Sequence, residues 1–134
     1  MSGVAVVQDF MQVLQKGELE EAFRGYFHDD ALIREANSLP YPGDHKGPDG
    51  LLRIFSLIGA KFDLTVHGFQ LFDAGASETG EMVVTKIDAT FTRRTSGTPL
   101  RMEAVELYTV RDDKIVMLDV FYRDTKAFIE LYES

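Results

Sequence analysis

The sequence predicts an α+β domain: a cone in which three N-terminal helices pack inside a strongly curved antiparallel four-stranded meander with one further short strand. Three observations predict it. The apolar period changes from 3.6 to 2 near residue 60, so helices come first and strands follow. The strand-like runs are separated by short segments of turn chemistry, which favours hairpins over crossovers. The chain has 134 residues, 45% of them hydrophobic, enough for one domain with its own core.

Val4, Val7, Phe10, Met11 and Leu14 form one apolar stripe of a first helix, ended by Lys16-Gly17. A second, short helix carries Leu19, Ala22, Phe23, Tyr26 and Phe27 on one side. Glu18, Glu20 and Glu21 place negative charge at its positive end. His28-Asp29-Asp30 interrupts that pattern, and Ala31–Glu35 reads as a short strand. Residues 37–50, rich in Pro, Gly, Asn and Asp, are expected to form one long loop without a regular element. Pro48 suits the first turn of a third helix that carries Leu51, Leu52, Phe55 and Ile58 inward and ends near Gly59. Four strands follow at Asp63–Phe72, Glu81–Thr92, Arg101–Val110 and Lys114–Tyr122. Asp124 is placed to cap a last helix through Ala127, Phe128, Leu131 and Tyr132. Neither a repeat nor a linker divides the chain, so residues 1–134 are read as a single domain.

Composition narrows the function classes. With 14 basic against 22 acidic residues the net charge is −8, a poor match for a phosphate backbone, so no nucleic-acid partner is expected. No apolar run approaches the ~18 residues of a membrane span, and Met1–Val7 lacks the basic start of a secretory leader. The chain has no cysteine, which removes thiolate chemistry and disulfides and suits the cytoplasm. His28, His45 and His67 have no metal-ligand spacing. His45 is the one whose loop can edge a pocket. No metal and no cofactor are expected.

Three local pieces carry a resemblance: Gln15–Glu21 followed by Tyr26–Leu32; Glu35–Gly43 followed by Gly47-Pro48-Asp49-Gly50; and Asp113–Val116 leading to Phe121–Asp124. Together they resemble the SnoaL-like, ketosteroid-isomerase-like branch of the nuclear-transport-factor-2-like superfamily, which has a cystatin-like fold. The resemblance implies a pocket for a small, largely apolar, polyketide- or steroid-like molecule, and a homodimer. Relatives include isomerases, polyketide cyclases, epoxide hydrolases and dehydratases, and also proteins without chemistry, so the fold alone does not choose among them. The dimer is expected on the convex face of the sheet, because strands rich in Val, Ile and Phe have two apolar faces and the helices cover one.

The resemblance places Glu35 at the position of a general base, where burial would raise its carboxyl toward neutrality. The alternative is a solvated charge paired with Arg34. Glu106 falls where the isomerases hold a protonated acid for an oxyanion. It shares a strand face with Met102, Ala104, Tyr108 and Val110. If that face is concave, Glu106 and Tyr108 would stabilise a developing negative oxygen beside Glu35; if convex, Glu106 pairs with a basic neighbour. Phe10 stands where the isomerases have a catalytic tyrosine, so it is read as a wall of the pocket together with Phe55 and Tyr122. Tyr26, Tyr41 and Tyr108 are candidate hydroxyls, Tyr41 for ligand binding. Asp119 matches the final-strand acid of SnoaL-like cyclases and is carried as a binding residue, although strand parity turns it away if Leu118, Val120 and Tyr122 face in. An epoxide-hydrolase set would need an Asp–Arg–Asp cluster drawn from residues such as Arg34, Asp88 and Arg101. Two readings stand: an isomerase, cyclase or dehydratase using carboxyl chemistry, or a binding or interaction module with the same pocket.

Overall fold

The computed structural model describes residues 1–134. In chain order the elements are α1 (Gly3–Gln15), α2 (Leu19–Tyr26), β1 (Phe27–Glu35), β2 (Gly43–Lys46), α3 (Gly47–Lys61), β3 (Phe62–Ser77), β4 (Gly80–Arg93), β5 (Pro99–Arg111), β6 (Lys114–Tyr122) and α4 (Thr125–Glu133). One six-stranded sheet runs in the order β2-β1-β6-β5-β4-β3. β3 to β6 form the antiparallel meander, and β1 adds to β6 in parallel. The α+β class and the curved meander over helices are as expected. No helix is long and apolar enough to cross a membrane.

Local chemistry explains the boundaries. The Ser2 hydroxyl accepts from Ala5 N–H to cap α1, and the Asp124 carboxylate does the same for Ala127 at α4. Asp112 and Asp113 both adopt positive φ, 52° and 61°, the left-handed pair that closes a two-residue hairpin between β5 and β6. Register shifts in β3 at Val66/Gly68 and Asp73/Gly75 insert extra residues that bend the long β3–β4 ribbon.

Two expectations are corrected. The loop 37–50 contains a regular element: Gly43–Lys46 pairs antiparallel with Leu32–Glu35. Gly47 then turns the chain into α3 with φ 64°, at a point where a Cβ would lie 2.3 Å from the Asp29 carbonyl oxygen, so only glycine fits. Phe27 is the first residue of β1 rather than the end of α2. It is buried, at 2% exposure, against Phe10, whose ring centroid is 5.1 Å away.

The core lies between the helices and the concave face. At one end Phe10, Phe23, Phe27 and Phe55 stack in tilted and edge-on pairs. At the other, Phe62, Phe91 and Tyr122 surround Phe128 of α4. Arg93 holds α4 in place by donating to the carbonyls of Leu131 and Ser134.

Candidate functional site

Between these two aromatic clusters the cone encloses a cavity of about 530 Å³, walled mainly by apolar side chains from α1, α3 and the concave sheet face. Glu35, Glu106, Tyr108 and Tyr122 supply its inner polar groups, and Gln15 stands with Gly17 and Leu14 on the α1 side. A volume of this size lies within the range of small-molecule sites.

Alternation along each strand decides who faces in. On β1, Ala31, Ile33 and Glu35 are buried while Arg34 is exposed. On β5, Met102, Ala104, Glu106 and Tyr108 line the cavity, so the concave reading of that face is the one the structure adopts. On β6, Leu118, Val120 and Tyr122 point inward.

Glu35 is only 9% exposed, and its Oε1 is buried without a hydrogen-bond partner. Arg34 does not neutralise it, because its guanidinium turns outward to Asp119 at 3.4 Å and Asp44 at 4.0 Å. Desolvation, and then the nearby Glu106 charge, push the Glu35 carboxyl up to about 8. Glu106 takes both of its hydrogen bonds on Oε1, from the Tyr108 hydroxyl at 2.7 Å and the Thr85 hydroxyl at 3.3 Å. Burial raises its carboxyl above the ordinary glutamate range, and these two donors pull part of the way back. None of the ion pairs includes either carboxyl. Two carboxyls in one apolar cavity without a cation disfavour each other's ionisation, and burial acts in the same direction on both.

The remaining candidates divide. Phe10, Phe55 and Tyr122 line the cavity. Tyr41 does not: it is buried behind Tyr122, hydroxyl to hydroxyl at 2.7 Å. Asp119 is corrected as a pocket residue, since parity places it on the outer face, paired with Arg34. That makes an Asp44–Arg34–Asp119 cluster, yet it lies outside the cavity, as does the bidentate Arg101–Asp88 pair. Tyr26 packs on Phe10 and is no part of the wall. His45 contacts the Tyr41 carbonyl oxygen rather than the cavity. Thr85 was not foreseen. Its signal was the alternation Val83, Thr85, Ile87, Ala89, Phe91 in β4, in which a threonine replaces an aliphatic residue on the buried face.

Residues 7–118 match the family of the SnoaL-like domain. Solved structures share the whole architecture. TerC, co-crystallised with polyporic acid, is 21% identical with a TM-score of 0.73, covering 98% of each chain. A protein of unknown function with a cystatin-like fold from Xanthomonas campestris is 15% identical with a TM-score of 0.75, again over 98% of each chain. An NTF2-like protein of unknown function from Burkholderia pseudomallei is 17% identical with a TM-score of 0.74 over 100% of both. At these identities the likeness concerns the fold. No curated protein matches the chain. With its cone of helices and curved sheet, and the family match spanning most of its length, this chain belongs to the SnoaL-like domain family of NTF2-like folds.

Proposed function

We propose that the protein is an acid–base enzyme of the isomerase, cyclase or dehydratase type, acting on a small, flat, largely apolar carbonyl compound of polyketide-like character. The observation that carries this reading is the orphaned Glu35 Oε1 beside Glu106 in an apolar cavity. Polyporic acid bound to TerC supports the ligand class.

Glu35, in its carboxylate form, takes a proton from the carbon next to the carbonyl. The C–H electron pair becomes the C=C of an enolate, and the charge moves to the carbonyl oxygen. Glu106 has Oε1 occupied by Tyr108 and Thr85, which leaves a proton on Oε2 to donate to that oxygen. The protonated Glu35 then returns its proton to another carbon, or to a departing hydroxyl that leaves as water. Phe10 occupies the remaining wall and donates nothing. A binding module with the same cavity is the competing reading, and that phenyl ring favours it.

The test is α-proton exchange of 2-tetralone in D2O, followed by NMR together with the side-chain carboxyl titrations. Accelerated exchange lost in Glu35→Gln, with the Glu35 carboxyl titrating well above about 4.3, supports the enzyme. Ordinary titration of both carboxyls removes the basis of proton transfer and leaves the binding module.

The same proposal includes a homodimer through the convex sheet face. There Phe72 pairs with Val84, Val84 with Leu107, and Val105 with Phe121; Phe72 and Phe121 are 50% and 58% exposed. Sedimentation as a species of one chain's mass at micromolar concentration would overturn it.

A further inference from the structure

Tyr41 and Tyr122 form a two-hydroxyl unit that the proton transfer above does not use. Their oxygens are 2.7 Å apart, and neither hydroxyl has another protein partner. Each phenol carries one proton, and burial disfavours ionising either of them. One proton fills the contact, so one is left over. If Tyr122 donates, the spare proton sits on Tyr41, which is 1% exposed and away from the cavity wall. That would strand a buried donor. If Tyr41 donates, the spare proton sits on Tyr122, which lines the cavity. The second arrangement satisfies every group once a ligand oxygen arrives. Phe91 and Phe128, with ring centroids 6.2 and 5.1 Å from that of Tyr122, hold the ring in place.

The sheet register sets where this donor lies. Glu106 is opposite Val120, and Tyr122 is opposite Ala104. Glu106 and Tyr122 are thus diagonal neighbours on one face, roughly 7–8 Å apart at the backbone, and both line the cavity, so they face a ligand as two separate polar positions.

We propose that Tyr122, positioned by Tyr41, donates a hydrogen bond to a second oxygen of the ligand, so that the ligand is a flat, fused-ring molecule carrying oxygen functions at two separated positions. One oxygen meets Glu106 and the other meets Tyr122. This rests on the cavity being a small-molecule site with Glu106 as a donor, and it selects, within that class, dioxygenated over mono-oxygenated ring systems.

The experiment is fluorescence titration of the intact protein with 2-naphthol and with the 1,5-, 2,6- and 2,7-naphthalenediols. In the native protein one diol is expected to bind about five- to tenfold tighter than 2-naphthol. Tyr122→Phe should abolish that preference while leaving 2-naphthol affinity within about twofold. Tyr41→Phe should reduce the preference in part, because Tyr122 then keeps its proton but loses the partner that orients it. The ratio of diol to 2-naphthol affinity is the readout, since loosened packing would weaken both ligands alike. Equal loss for both ligands, no diol preference in the native protein, or no binding of any naphthol overturns the inference. Should Tyr122→Phe not fold, an unchanged ratio in Tyr41→Phe overturns it as well. Failure here with a raised Glu35 titration would leave the proton-transfer reading standing; failure of that titration with the diol preference intact would leave a specific binder.

Discussion

Glu103 and Glu106 lie three residues apart on β5 and face opposite ways. On the convex side Glu103 meets Lys86 at 3.1 Å and Arg123 at 3.9 Å, in partial contact with water. On the concave side Glu106 meets two hydroxyls, an apolar wall and another carboxyl. The same side chain on the same strand is an ion-paired surface group on one side and a buried carboxyl, pushed up by desolvation, on the other. Position relative to the sheet, not residue type, sets the chemistry: the outer face offers cations, and the inner face offers hydroxyls and an apolar wall.

The sharpest way to break this contrast is Glu35→Gln. It keeps the shape and removes the titrating group, and the proposed proton exchange should fall by about 10²- to 10⁴-fold. The pH profile should show the same group. Because Glu35 needs its carboxylate form as the base, exchange in the native protein should rise as pH increases toward about 8 and level above it; a flat profile between pH 6 and 9 would contradict this.

Stability should move in the opposite direction. The folded carboxyl holds its proton up to about 8 whereas an unfolded glutamate releases it near 4.5. The folded state therefore binds more protons between those values, and stability falls as pH rises through that window, with a slope approaching about 1.4 kcal/mol per pH unit. Chemical denaturation at several pH values should show this decline in the native protein and a weaker one in Glu35→Gln.

Tyr108→Phe sharpens the inner half of the comparison. Removing one of the two donors that pull the Glu106 carboxyl down should move its NMR titration upward and cost about 1 kcal/mol of stability. The outer half predicts the smallest effect. Glu103→Gln should change stability by less than about 1 kcal/mol and leave exchange untouched. An effect on exchange as large as that of Glu35→Gln would mean that the two faces are not independent.

Several parts of the site were legible because strand parity is a local rule. Once Met102, Ala104, Glu106 and Tyr108 are seen to alternate, they must share a face; for Asp119 the same rule points outward, yet the resemblance carries it as a binding residue, and only its pairing with Arg34 places it on the outer face. The Asp124 cap and the turn at Arg111–Asp113 were equally local. β2 was not legible, because its four residues have little strand propensity and exist as a strand only through pairing with β1. Thr85 and the Tyr41–Tyr122 contact were missed for a related reason: their partners are 21 and 81 residues away in the chain.

The sequence by itself determined the order of helices and strands, the two-faced pattern of each strand and the resemblance to its family, because periodicity, caps and turns act within a few residues. Only the tertiary structure decided which face of β5 is concave, that Arg34 pairs with Asp119 rather than Glu35, and that the carboxyls of Glu35 and Glu106 meet the phenols of Tyr108 and Tyr122 in one apolar cavity. Desolvation and hydrogen bonding between distant strands depend on the closing of the whole sheet, and no local window of residues contains that information.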